Sequence, residues 1–343
     1  MKYSELNKAA SLNHPYHQDI HYLNQLEQVL KFGIPEMDRT GVGTRSLFGL
    51  AAKYDLTESF PLFTHKRLHF RGIAEELLWM LNGHTNAKVL EDRGITIWRE
   101  WGDPKTRELG PVYGDGFRSF SVPPQKPCDH ESLCDQYCNQ DKRIVTDQLE
   151  SLLTGLLKNP GSRRHLLTLW NPHTVNECAL PPCHGISIHF KRQVDLRGVE
   201  RLHCCMYQRS CDMLLGVPYN VASYSLLTCI IAAWLGIKPG SFTHMLGDAH
   251  IYNNHVTQVR EIFERELIPS PRLLVDWPLA SVLPKVPSPG SVAGFLYRLT
   301  QWPNNSGPVW GLWMPSETGN KAPSTLNLLD YNPHPAIKAP VAV

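Results

Sequence analysis

Residues 224–234 are apolar almost all the way round a helical wheel, and the run closes at Gly236. A helix without a polar face has to be enclosed on every side, so this segment is expected to be the central buried helix of the fold. Three other stripes are one-sided. Leu23, Leu26, Val29 and Leu30 stop at Gly33; Ile73, Leu77, Leu78 and Leu81 stop at Gly83; and Ile144, Leu149, Leu152, Leu153, Leu156 and Leu157 form the third. Their spacing predicts further helices, with strands over 166–170, 186–190, 202–208 and 241–246, so helices interleave with a sheet. Glu76 falls inside the second stripe, where a charge is costly unless it is paired or hydrogen-bonded.

The formal net charge of +2, with 19% charged residues over 343, provides neither a basic stripe for nucleic acid nor an acidic tail. A small anionic substrate held by a few arginines fits better. No apolar h-region follows Met1 and no stretch approaches 18 uninterrupted apolar residues, so neither export nor a membrane span is expected. A cytoplasmic setting would keep the nine cysteines mostly reduced.

Among those cysteines Cys183 stands out. It lies in Ala179-Leu180-Pro181-Pro182-Cys183-His184, followed by Tyr207-Gln208-Arg209-Ser210-Cys211-Asp212 and by Pro218-Tyr219-Asn220. These runs supply a thiol, a fixed cation, a carboxylate and an amide. A thiolate is a strong nucleophile when a nearby cation lowers its pKa, which Arg209 can do if the two segments become adjacent strands. An isolated cysteine is more often a small buried hydrophobe, so the surrounding run is what points to chemistry.

That run resembles the thymidylate synthase family. Six further blocks recur in the family's order: Asp38-Arg39-Thr40-Gly41-Val42-Gly43-Thr44; Phe60-Pro61-Leu62-Phe63-Thr64-His65-Lys66; Glu76-Leu77-Leu78-Trp79; Ile97-Trp98-Arg99-Glu100-Trp101 with Gly110-Pro111-Val112-Tyr113-Gly114; Ser162-Arg163-Arg164; and Gly247-Asp248-Ala249-His250-Ile251-Tyr252. The ending Ala339-Pro340-Val341-Ala342-Val343 is similar to the family's C-terminal latch.

The resemblance implies an α+β fold with a mixed sheet packed by helices, one sheet face forming a homodimer interface. It implies one-carbon transfer from 5,10-methylenetetrahydrofolate to C5 of dUMP, with Cys183 adding at C6 to make C5 nucleophilic. Glu76, His184 and Asn220 would serve the ring oxygens through donors and a water network, and Tyr113 would assist removal of the C5 proton. Arg39, Arg209 and Ser210 would hold the phosphate. Consecutive arginines diverge from one strand, and the resemblance resolves this by sending Arg163 and Arg164 into the partner's site. Gln208 and Asp212 belong to the nucleotide set, Asn220 would match uracil N3–H and O4, and His250 and Tyr252 would meet the 3′-hydroxyl. Asp212, Trp98, Trp101 and Lys66 would contact folate, with Val343 closing as a lid.

Three departures stand out: Asp115-Gly116-Phe117-Arg118 after Tyr113-Gly114, Arg99 after Trp98, and His84 after Gly83. They bear on the product. Hydride from folate gives a methyl group, water a hydroxymethyl group, and the retained Trp98 and C-terminal ending favour water exclusion and methylation over a dUMP hydroxymethylase. A non-catalytic nucleotide- or RNA-binding homologue is disfavoured because every reactive position is filled. The chain reads as one catalytic domain over 1–343 with insertions at about 121–142 and 267–329. Cys128, His130, Cys134 and Cys138 in the first are soft ligands without a C-x-x-C pair, so a plain loop is expected and no metal is assigned. Trp302, Trp310 and Trp313 in the second suggest a satellite core or contact surface.

Overall fold

A helix without a polar face needs walls, and the sheet and neighbouring helices supply them. The structure is a computed structural model and describes residues 2–3, 17–122, 144–275, 291–300 and 326–341. Its elements in chain order are α1 (His17–Phe32), β1 (Ile34–Glu36), β2 (Thr44–Asp55), α2 (Phe70–Leu81), α3 (Lys88–Glu91), α4 (Tyr113–Arg118), β3 (Phe120–Val122), β4 (Ile144–Thr146), α5 (Gln148–Lys158), β5 (Leu166–Leu167), β6 (Ser187–Val194), β7 (Glu200–Asp212), α6 (Gly216–Leu235), β8 (Lys238–Tyr252), α7 (Val256–Glu264), β9 (Arg272–Val275), α8 (Val292–Thr300) and β10 (Leu326–Leu329).

The all-apolar run is the body of α6. Val217, Val221, Leu226, Leu227 and Ile231 are fully buried, and the helix packs on β7, β8 and α2. By length and hydropathy alone α6 could cross a bilayer, but 78% of its apolar window is buried inside the protein. Pro218 is accommodated in the first turn, and Gly236 ends the helix at φ 70°.

The six-stranded sheet runs β1-β2-β8-β7-β6-β5. Only β7 and β8 are parallel, and α6 is the crossover joining them; the other pairs are antiparallel. The fold is therefore α+β with a mixed sheet and a central buried helix, as expected.

Several boundaries differ from the expectation. Ile144 belongs to β4 and is exposed, so the third helix starts at Gln148, where the Asp147 carboxylate caps it by accepting from the Glu150 N–H (2.8 Å). The 12-residue β2 carries no clean alternation: Phe48 faces out, 83% exposed, while small Ala52 faces in. The 166–170 strand shrinks to two residues, whereas β7 and β8 extend well beyond their apolar runs.

The second interrupted segment contains regular structure that its composition hides. β9 pairs antiparallel with β10, and Phe295 of α8 is fully buried edge-on to Trp234 at 5.2 Å. β3 and β4 form a ribbon at the base of the first. Cys128, His130, Cys134, Cys138, Trp302, Trp310, Trp313 and Val343 lie outside the described residues.

Across the sheet, the inward set changes phase. In β8 Phe242, His244 and Leu246 are buried, then Ala249 and Ile251; in β7 the buried even positions end at Gln208 and give way to Cys211. The phase change falls at Gly247, where a Cβ would stand 2.8 Å from the Arg209 carbonyl and 2.6 Å from the Tyr207 hydroxyl. Gly247→Ala is expected to lower stability by about 1–3 kcal/mol through overpacking, read as a drop in Tm with Arg209 displaced. An unchanged Tm would show that the strands close without this contact.

Candidate active site

Cys183 precedes the turn into β6, where Gly185 (φ 71°) comes so close to Leu169 and Tyr224 that a Cβ would clash with both at 2.5 Å. β6 pairs with β7 from Ser187 opposite Tyr207, and the Arg209 N–H donates to the Cys183 carbonyl at 2.7 Å. The two segments are thus neighbours, as the thiol–arginine reading requires. The Arg209 guanidinium lies over the Trp170 ring at 5.3 Å, reaches the Pro181 and Pro182 carbonyls at 3.4 Å, and brings Nη2 to 3.9 Å from Cys183 Sγ. Burial raises the thiol above its ordinary pKa, outweighing the lowering by Arg209 and Arg39. The expected net depression does not occur, because desolvation of the thiolate is the larger effect.

Behind the thiol lies an aromatic and carboxyl cluster. The Tyr113 hydroxyl accepts from the Cys183 N–H at 3.0 Å, and the Tyr113 ring stacks on His184 at 4.4 Å. His184 is paired through Nδ1 with the Tyr224 hydroxyl at 2.9 Å, and burial pushes its pKa down to about 3, so it is a neutral ring. Trp98 packs on Tyr113 at 5.7 Å and edge-on to Trp101 at 5.9 Å, and its Nε1–H donates to Glu76 at 2.9 Å. Burial pushes the Glu76 carboxyl up to about 7 against the lowering by that one hydrogen bond. A group poised near neutrality in an enclosed site can hold or release a proton.

Asn220 arrives from the second turn of α6. Its Oδ1 accepts from Gln208 Nε2 at 3.0 Å, and Gln208 Oε1 pairs with His244 Nε2 at 2.9 Å. Burial, then the nearby His184, push His244 down to about 3. This fixes the amide of Asn220 by a neutral chain. Ser210 and Asp212 face Asp248 and His250 in the β7–β8 register, so they share one side of the sheet. Burial opposes charge on His250, but the Asp248 hydrogen bond and the Asp248 and Asp212 charges raise its pKa. Tyr252 meets His250 edge-on at 5.2 Å. Arg39 is exposed on a loop held by Asp38, which accepts from Thr40 and Gly43, and its charge reaches both Cys183 and Tyr252.

Arg163 and Arg164 are exposed on the loop between α5 and β5. Lys66 is 3% exposed and its ammonium donates to the Leu214 carbonyl, with burial lowering its pKa to about 8. It therefore does not present a surface cation to a glutamate tail. Tyr224, His244 and Trp170, which hold His184, Gln208 and Arg209, carry no sequence signal: the first two are spaced like ordinary core positions, and Trp170 closes a short apolar run. The departures are held by contacts of their own. Arg118 pairs with Asp147 at 2.7 Å, Phe117 is fully buried, and Arg99 lies 3.4 Å from Glu91.

The Glu76 displacement makes stability depend on pH in a definite direction. Its folded pKa lies above its unfolded one, so the unfolded chain ionises first; stability is complete below about 4.5 and falls until about 7. Glu76→Gln keeps an acceptor for Trp98 and lacks this loss. The variant should gain about 2 kcal/mol relative to wild type between pH 5.5 and 8. Parallel Tm profiles over that range would place Glu76 in a solvent-like setting.

A family model described as Thymidylate synthase matches residues 20–282, well over half of the chain and including every described residue of the cluster around Cys183. The chain belongs to the thymidylate synthase family, a class of folate-dependent one-carbon transferases acting on dUMP.

Proposed function

We propose that this protein methylates dUMP, yielding dTMP and dihydrofolate through a covalent Cys183 adduct. The observation that carries this reading is the buried aromatic wall of Trp98, Tyr113 and His184, which meets Cys183 through the Tyr113 hydroxyl. Such a wall keeps water from a reactive exocyclic carbon until hydride arrives.

Cys183 adds to C6 and later leaves as C5 completes its bonding. Arg209 and Arg39, with Ser210, receive the phosphate; their positive charge then meets the substrate dianion at the mouth while the interior stays uncharged. Asn220, its Oδ1 already fixed by Gln208, presents an amide edge to uracil N3–H and O4. Glu76 shuttles a proton toward the ring oxygens, and the Tyr113 hydroxyl assists loss of the C5 proton. His250 and Tyr252 meet the deoxyribose. Folate supplies the one-carbon unit and the hydride; Asp212, whose side chain is 24% exposed, and the Trp98–Trp101 pair fit its ring, whereas buried Lys66 is left out.

Mass analysis of the nucleotide after incubation with dUMP and methylenetetrahydrofolate tests the reading. The expected product is dTMP with one dihydrofolate per turnover, abolished in Cys183→Ala while nucleotide binding persists. A product heavier by one oxygen, without dihydrofolate, would assign the hydroxymethylase chemistry and direct attention to the Asp115-Gly116-Phe117 segment. Turnover by Cys183→Ala would end the covalent mechanism.

The active form is proposed to be a homodimer. Exposed Phe48, Leu166 and Met245 give the sheet strands apolar surface, and Arg163 and Arg164 are exposed on their loop. Mixing Cys183→Ala with Arg164→Ala, each inactive, is expected to restore up to about a quarter of wild-type activity, since one hybrid site receives both native residues. Absence of rescue despite demonstrated subunit exchange would make each site self-sufficient.

A further inference from the structure

Arg209, the cation beside the thiol, is held by an aromatic ring. Its guanidinium carbon stands over the face of Trp170, 5.3 Å from the ring centre. Its contacts with oxygen are weak by comparison: Nε meets the Pro182 carbonyl, and Nη2 the Pro181 and Pro182 carbonyls, each at 3.4 Å, beyond the ordinary N–H···O range of about 2.7–3.2 Å. Among the described residues the guanidinium has no carboxylate partner, and Asp248 senses its charge without pairing with it.

Trp170 is fixed to the same turn as the thiol. Just before it, the Leu169 N–H donates to the Gly185 carbonyl at 2.9 Å and the Thr168 hydroxyl donates to the Ile186 carbonyl at 2.6 Å, while the Trp170 N–H donates to that hydroxyl at 3.2 Å. Just after it, the Asn171 amide donates to the Ser121 carbonyl at 2.6 Å. Arg209 is tied in from the other side, its N–H donating to the Cys183 carbonyl at 2.7 Å. Ring, cation and sulfur therefore share one frame, in which Nη2 stands 3.9 Å from Sγ. A ring face attracts a cation through its quadrupole and leaves the charge intact, whereas a carboxylate would neutralise it.

We propose that Trp170 is a positioning residue whose ring holds the Arg209 guanidinium beside Cys183 Sγ as an intact cation and thereby sets the reactivity of the thiol. This role rests on the reading of Cys183 as the nucleophile and not on which nucleotide is attacked. The thiol also faces Arg39, the Tyr113 and Tyr252 hydroxyls and the buried Cys211 thiol. Against burial, Arg209 and then Arg39 favour the thiolate. Without the ring, a guanidinium left with only long contacts spends more time in water. The neutral thiol is then favoured, and attack slows at any pH below that at which the thiol ionises.

Alkylation of Cys183 by iodoacetamide in the full chain, followed by peptide mass analysis across a range of pH, tests this role. The reagent is neutral, so Arg209 does not itself attract it. Trp170→Met keeps bulk without a π face, Trp170→Phe keeps a face, and Arg209→Gln removes the charge. Near neutral pH Trp170→Met should react about two- to fivefold more slowly than wild type, the worth of an exposed cation–π contact, with its rate–pH curve moved to higher pH. Trp170→Phe should fall between the two. In an Arg209→Gln background Trp170→Met should cause no further slowing, because the group it acts through is gone. Equal or faster alkylation in Trp170→Met, with a Tm showing that it is folded, overturns this role. The same slowing with and without Arg209 also overturns it, since Trp170 would then act by packing alone. If Trp170→Met does not fold, Trp170→Phe is compared with wild type in both backgrounds and judged by the same outcomes. If wild-type Cys183 reacts no faster than buried Cys204, the nucleophile reading fails and this role fails with it.

Discussion

Enclosure of α6 is the constraint on which the rest depends. Its apolar surface demands a sheet on one side and α2 on another, and the same helix delivers Asn220 from its second turn and Tyr224 from its third. Tyr224 anchors His184, His184 stacks on Tyr113, and Tyr113 holds the backbone of Cys183. Core packing and site geometry are thus one structure. Dense packing around this chain of contacts restricts the side chains that make it.

The electrostatic design follows from the same burial. The groups behind the thiol are neutral or close to it: His184 and His244 are pushed far below neutrality, Glu76 is poised near it, and the thiol itself is raised. Permanent charge is kept at the mouth, on Arg209 and Arg39. An interior that disfavours charge and a rim that supplies it suit a ligand with an anionic end and a neutral ring.

The phase change in β7 and β8 links these two levels. Before Gly247 the inward residues feed the core; beyond it Ser210, Asp212, Asp248 and His250 share one side of the sheet. A straight strand would have kept one face apolar throughout. The phase change lets the same two strands wall the core and present Asp212, which accepts from the Leu214 and Leu215 N–H groups just before α6 and lies 3.8 Å from His255 Nδ1.

By itself the sequence determined the central helix, the amphipathic faces of α1, α2 and α5, and the blocks that mark the family, because periodicity and motif order are local properties of the chain. Cys183 with Arg209, Glu76 with its apolar neighbours, and Asn220 after Pro218 were legible for that reason. What it left open was decided by contacts between distant segments. β2 was hidden because Phe48 faces out and Ala52 faces in, so a period of two carried no contrast. The direction of the Cys183 shift depended on how far desolvation outweighs two arginines, and the interior position of Lys66 on the Leu214 carbonyl it meets. The roles of Tyr224, His244 and His255 were equally invisible: each is an ordinary core residue until the fold places a partner against one of its polar atoms.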